Sequence, residues 1–235
     1  MTDPATALSF FDPDRNLHGT LRSGTSLLFR GTTPTALPEG ATFERNGEGL
    51  RAEMADRLSL VAEPLTPEAD LGGTTARVCR VSGQVDGTAV DCLGTIGETH
   101  VAPSWDDLDA VRTLSVLVDG ENALLLLARR PRGAAGHGAE RIAAWLVDGG
   151  ELKSVEDTRL STVYDGEGRQ RSASVELWMP GEELPRRGSG VVIAGSSVDL
   201  EAVRVQAAVF RWSFEGKDAI GGYELMVRSD PPDAA

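Results

Sequence analysis

Apolar and polar residues alternate along most of the chain with a period of two, in runs separated by Gly, Pro, Asp and Asn, and helical periodicity is nearly absent. The alternation predicts strands over 18–30, 41–45, 50–63, 75–82, 88–98, 111–118, 122–128, 140–147, 153–164, 172–179, 191–194, 202–214 and 220–228. Asp-Gly dipeptides at 86, 119, 148 and 165 sit between apolar runs. That pair tolerates the positive φ angles of the tightest strand turns, so each position predicts a hairpin. The whole pattern reads as an all-β protein.

Several runs carry more detail. The run at 124–128, LLLLA, is apolar on both faces and predicts a strand covered on both sides. If Asp119-Gly120 forms a two-residue turn, Val116 stands opposite Ala123 and Leu114 opposite Leu125. Within 202–214 the apolar phase passes from Val203, Val205 and Ala207 to Ala208, Phe210, Trp212 and Phe214, which predicts a β-bulge near Ala207. Residues 1–16 read as a lead-in whose Phe10 and Phe11 could plug an open end, and residues 230–235 as a loose tail. The strands group into two antiparallel barrels or sandwiches, an N-terminal domain over 17–105 and a C-terminal domain over 106–230, meeting near 101–109. One large sandwich would fit the same pattern, and no internal sequence repeat is evident.

Charge narrows the partners. With 36 acidic against 23 basic residues the net charge is −13, which argues against nucleic acid or an anionic membrane surface. No run reaches the roughly 18 apolar residues of a membrane span. The first residues lack the basic and apolar blocks of a secretion signal, so a cytoplasmic protein is expected. Cys79 and Cys92 flank the Asp86-Gly87 turn and are cross-strand neighbours, direct or diagonal. In a reducing compartment they are expected as buried thiols rather than a disulfide.

The most chemically suggestive stretch is 93–131. It leaves one strand, passes through Glu98, His100, Trp105 and Asp106, and returns as a long apolar hairpin. Glu98 and His100 are two apart on a strand, hence on one face, where they could share a proton for acid–base work. A solvated loop edge has the same composition. His18, His100 and His137 have no His or Cys at ligand spacing, so no metal is expected. Nucleophile-elbow, phosphate-loop and dinucleotide motifs are lacking, so no cofactor is expected. Glu176 and Trp178 share a strand face, as a cavity lining or an exposed cross-strand pair would.

Around this stretch the sequence resembles the AttH and hydroxyneurosporene synthase (carotenoid hydratase) superfamily, whose members pair two lipocalin-like β-barrel domains. Gly94 and Trp105 have the separation of the family's Gly-x-Arg-Asp-His-Ser-Trp-Gly-x-Arg-Asp-Trp motif, and Leu108, Asp109 and Arg112 continue it. ARRP at 128–131, LVDGGE at 146–151, VYDGEGR at 163–169 and the closing FRWSFEGKDAIGGYEL are similar to the family's second domain. The family's Asp-His falls on Gly97 and Glu98, and its first Trp on His100, so its acting residues do not carry over. The resemblance implies a small hydrophobic ligand, isoprenoid- or polyketide-like. The residues expected to line its barrel cavity are Trp105, Arg112, Trp145, Trp178 and Trp212. Two alternatives stand beside binding. One is a cofactor-independent hydratase, isomerase or cyclase with Glu98 and His100 as acid–base residues; the other is a structural module with filled barrels.

Overall fold

The structure is a computed structural model that describes residues 4–200 and 203–229; the expected tail at 230–235 lies outside them. Two antiparallel sheets account for almost all of it. The first holds β1 (Ala5–Asp12), β2 (Leu17–Arg22), β3 (Ser26–Arg30), β4 (Thr33–Leu37), β5 (Thr42–Asn46), β6 (Gly49–Met54), β7 (Leu58–Pro64), β8 (Ala69–Asp70), β9 (Thr74–Val85) and β10 (Thr88–Thr99). The second holds β11 (Leu108–Leu117), β12 (Ala123–Pro131), β13 (Arg141–Asp148), β14 (Glu151–Ser154), β15 (Asp157–Tyr164), β16 (Gln170–Trp178), β17 (Arg186–Leu200), β18 (Val203–Phe214) and β19 (Lys217–Arg228). The only helical piece among the described residues is a turn at His137–Ala139.

Both sheets follow one path. The strand orders are β4-β3-β2-β1-β10-β9-β7-β6-β5 and β14-β13-β12-β11-β19-β18-β17-β16-β15. In each, four strands step outward, the fifth starts again at the far edge, and the last returns beside the first. Each sheet curls around its own core, giving two lipocalin-like domains.

The two-residue side-chain period assigns each face. Leu8, Phe10, Leu21, Leu60, Val81 and Ile96 fill the interior of the first sheet. Leu114, Val116, Leu126, Leu177, Phe210 and Trp212 fill that of the second. The opposite faces of the central strands form a third core between the sheets, where Phe11, Leu27, Phe29 and Val78 meet Leu117, Leu125, Val147 and Val209. The predicted two-sided burial of 124–128 follows, because Leu124 and Leu126 enter the second interior while Leu125 enters the shared core. The same arrangement corrects the bulge expected at Ala207. β18 runs in unbroken register with β19, and Val205, Ala207 and Val209 face the other sheet while Ala208, Phe210 and Trp212 face the interior. The irregularity lies on β17, between Val192 and Ala194.

Other expectations shift for local reasons. Residues 5–12, expected as lead-in, form β1, which pairs with β2 and β10 at the middle of its sheet. Its two phases, Leu8 and Phe10 against Ala7, Ser9 and Phe11, serve two different cores. The strands expected over 18–30 and 50–63 each fold into a hairpin, the second turning at Asp56 with φ of 58°. Asp86-Gly87 forms the predicted tight turn, with φ of 47° and 74°. That sets Cys79 opposite Gly94 and Cys92 opposite Val81, a diagonal pair of free thiols. Burial raises the Cys79 thiol far above its ordinary range and pushes Cys92 up to about 12, so neither is a nucleophile at neutral pH. At Asp119 the loop is longer than two residues: the carboxylate accepts the Glu121 N–H and the Asn122 side-chain amide, at 2.8 Å each. The β11–β12 register therefore moves by one, to Val116 opposite Leu124 and Leu114 opposite Leu126.

The structure shows a repeat that the sequence hides. Phe10 of β1 stands opposite Gly94 of β10, and in the second sheet Gly221 of β19 falls where the pairing with β11 skips from Leu114 opposite Tyr223 to Leu117 opposite Ile220. A Cβ on Gly94 would lie 2.2 Å from the Ser9 carbonyl oxygen, and one on Gly221 would lie 1.9 Å from that of Ser115. First and last strands thus approach closely at equivalent points. The equivalence pairs Ser9 with Ser115, Thr95 with Gly222 and Gly97 with Glu224.

His18 on β2 lies beside the shared core, 2% exposed, with its ring 6.4 Å from that of Phe11 and its Nδ1 unpartnered. Burial pushes its pKa down from 6.5 to about 4, with the Asp12 carboxylate opposing part of the effect. A histidine held neutral in the fold contributes full stability above its unfolded pKa and loses it as pH falls from about 6.5 toward 4. The protein is expected to be less stable near pH 5 than at pH 7 by up to about 2 kcal/mol on this account. Urea midpoints at the two pH values measure it, and His18→Phe should remove most of the difference; an equal drop in that variant would assign it to other groups.

Candidate functional site

A cavity of about 500 Å³ opens between the two sheets. Its walls are the pseudo-equivalent faces just described: Ser9, Thr95 and Gly97 on one side, Ser115, Gly222 and Glu224 on the other. Phe11, Leu27, Phe29, Leu125, Val205 and Val209 make most of the wall apolar, and Leu71, in the turn before β9, and Trp105, where the chain crosses between halves, add to it. This is the composition of a site for a small apolar ligand with few polar anchors.

One charged feature stands in this wall. Arg22 of β2 donates from Nη2 to Oε2 of Glu224 on β19, joining the halves by an ion pair. Glu224 is only 9% exposed, and its Oε1 finds no hydrogen-bond partner. Nearby polar groups are already engaged. Ser9 and Thr20 hydroxyls share a bond of 3.1 Å, and the Ser115 hydroxyl accepts the Gly222 N–H at 3.0 Å. At Gly97, where the other half carries Glu224, an added Cβ would meet nothing nearer than a carbonyl at 3.9 Å.

Of the residues singled out in the sequence, Trp105 lines this cavity. Trp145 does not; it is half-buried at the interface and donates from Nε1 to the Asp70 carbonyl at 2.7 Å. Arg129 adds two bonds across the same seam, to the carbonyls of Leu71 and Gly72 at 3.0 and 2.6 Å. Trp178 is on the outer face of the second sheet, with the Arg159 guanidinium 4.8 Å from its ring centre, and so takes the cross-strand option. Trp212 packs in the second interior, stacked on Phe210 at 5.4 Å.

Glu98 and His100 do not meet. Glu98 is buried and accepts from Arg45 of β5, across the curled first sheet, whereas His100 is exposed and bonds the Thr75 hydroxyl at 3.2 Å. The strand ends at Thr99, so the shared-face geometry expected from their spacing stops short of His100.

Arg112 is 1% exposed inside the second sheet. Its guanidinium pairs with Glu140 and donates to the hydroxyls of Tyr223 and Thr162 at 3.1 and 3.3 Å, while those hydroxyls share a bond of 2.7 Å. Burial pushes the Tyr223 phenol up to about 12, against the Arg112 charge, so it is a neutral hydrogen-bonding group here. The cluster braces β11, β15 and β19 from within.

Arg22 and Glu224 escaped the sequence reading. The available signal was a carboxylate on a strand face otherwise occupied by Ile220, Gly222 and Met226; its partner, some two hundred positions away, had none.

No family model matches the sequence, and no curated protein matches it. Among solved structures, the fold is similar to that of a protein from Nitrosomonas europaea assigned as an AttH, at 12% identity and a TM-score of 0.63, covering 95% of this chain and 91% of that one. It is also similar to kievitone hydratase from Nectria haematococca, at 10% identity and a TM-score of 0.55, covering 97% of this chain and 89% of that one. At such identities the likeness is one of fold. That fold, a pair of lipocalin-like domains, is the one the sequence resemblance implied. No helix among the described residues is long and apolar enough to cross a membrane.

Proposed function

We propose that this protein binds a small hydrophobic molecule in the cavity between its two halves. The observation that carries the reading is a partly open, mainly apolar volume of about 500 Å³ between the two sheets, walled by residues of both. That is room for a molecule of drug or terpenoid size. A second reading, a cofactor-independent hydratase, isomerase or cyclase acting on such a molecule, is supported by the hydratase among proteins of this fold and by a carboxylate in the cavity wall. In that reading the carboxylate in reach is Glu224, since Glu98 is held by Arg45 away from the cavity.

Nile red, a neutral dye that brightens in apolar sites, tests binding directly. It is expected to bind with saturable fluorescence and to quench tryptophan emission through Trp105. Gly97→Phe places a ring in open cavity space and should weaken binding roughly tenfold or more while leaving the thermal midpoint nearly unchanged. No saturable binding, or binding indifferent to Gly97→Phe, would overturn the proposal in favour of a structural module.

A further inference from the structure

We propose that the Arg22–Glu224 pair is the head-group site of this cavity and selects neutral, hydroxyl-bearing apolar molecules over both anions and cations. The inference rests on the cavity reading above. Among the described residues, no other ion pair joins the two halves, and both partners line the cavity. The pair is far from equally hydrated, with side-chain exposures of 29% for Arg22 and 11% for Glu224.

Two features bear on what it accepts. The carboxylate is half satisfied, with Oε2 bonded to Arg22 and Oε1 unpartnered in a nearly buried residue. Oε1 is closed to solvent, so a ligand's donor reaches the carboxylate when the side chain turns toward the cavity, and an unpaired acceptor gains from that contact. The guanidinium has five N–H groups and is seen to use one on Glu224, so it offers donors beside that acceptor. A hydroxyl is donor and acceptor in one group and can engage both partners without net charge. A carboxylate would satisfy Arg22 but meet Glu224 at close range, and an ammonium would meet Arg22. In a cavity walled by Phe, Leu and Val, such like-charge contacts are poorly screened. The pseudo-equivalence supports the same conclusion, because the facing half has Gly97 where this one has Glu224. With Gly97 in the position of Glu224, the ion pair has no second copy across the pseudo-repeat, so a ligand has one orientation.

Displacement of Nile red by decan-1-ol, decanoate, decylammonium and decane at neutral pH tests this. On the natural sequence decan-1-ol is expected to displace the dye at roughly tenfold lower concentration than either ion or decane. Glu224→Gln leaves Arg22 as a lone cation and should turn the preference to decanoate. Arg22→Gln leaves Glu224 as a lone anion and should turn it to decylammonium. A purely structural pair would weaken every ligand alike and show neither reversal. Saturable dye binding with a flat head-group series, or decanoate leading on the natural sequence, would overturn the selectivity alone; absence of dye binding would overturn the cavity reading with it. Should either variant fail to fold by thermal melting, the series on the natural sequence still decides.

Discussion

Arg112→Leu is expected to lower the stability of the protein by about 4 kcal/mol, the largest loss among polar substitutions. The guanidinium is 1% exposed and its Glu140 partner equally so, deep in an interior otherwise made of Leu114, Leu126, Phe210 and Trp212. Both charges have given up water, and for Arg112 the pair itself and the Tyr223 and Thr162 hydroxyls compensate. Removing the cation takes the Arg112 charge away from a carboxylate held in a low-dielectric interior, so the loss exceeds the worth of the bonds deleted. The double variant Arg112→Leu, Glu140→Leu removes both penalties and should recover most of the stability. Urea unfolding of the three proteins measures this. A single-variant loss below about 1 kcal/mol would mean water reaches the pair, and a double variant no better than the single would mean packing rather than charge decides. Tyr223 is the residue before Glu224 on β19, so a loosened Tyr223 should also disturb the cavity wall.

The elements were largely legible in the sequence because a two-residue period is local information. The all-β class and the tight turn at Asp86-Gly87 needed only neighbours. The path of the sheets was less legible, since pairings such as β1 with β10 depend on contacts some ninety residues apart. Two-sided burial caused the clearest misreadings. The string Val205, Ala207, Ala208, Phe210 looks the same whether a bulge shifts the phase or two cores flank one straight strand, and the structure takes the second course. Ala5–Asp12 is ambiguous for the same reason, with Phe10 and Phe11 entering different cores. Of the site residues singled out in the sequence, only Trp105 lies in the cavity lining. Arg22 and Glu224 are unremarkable surface-type residues until the fold sets them against each other, whereas Glu98, with the more suggestive neighbours, is taken by Arg45.

Gly221→Val is expected to cost about 4 kcal/mol or to prevent folding, while Gly97→Val, on the equivalent strand of the other half, should change stability by less than about 1 kcal/mol. Neither glycine has a positive φ, so the contrast isolates space from backbone conformation. At Gly221 even a single Cβ would sit 1.9 Å from the Ser115 carbonyl oxygen and 2.6 Å from its carbon, and backbone cannot yield as a side chain does. Relief requires β19 to move off β11 at the point where their pairing skips from Leu114 opposite Tyr223 to Leu117 opposite Ile220. That displacement would carry along Gly222 and Glu224, which face the cavity, and Tyr223, which anchors the Arg112 cluster. Gly94→Val should behave like Gly221→Val, since its Cβ would lie 2.2 Å from the Ser9 carbonyl oxygen. Guanidinium unfolding of the three variants is the measurement. Equal tolerance at all three positions would show that the approach of first and last strands does not fix the spacing of the cavity walls; the expected split would show that the two halves are held open by the same device, with Gly97 as the space it leaves.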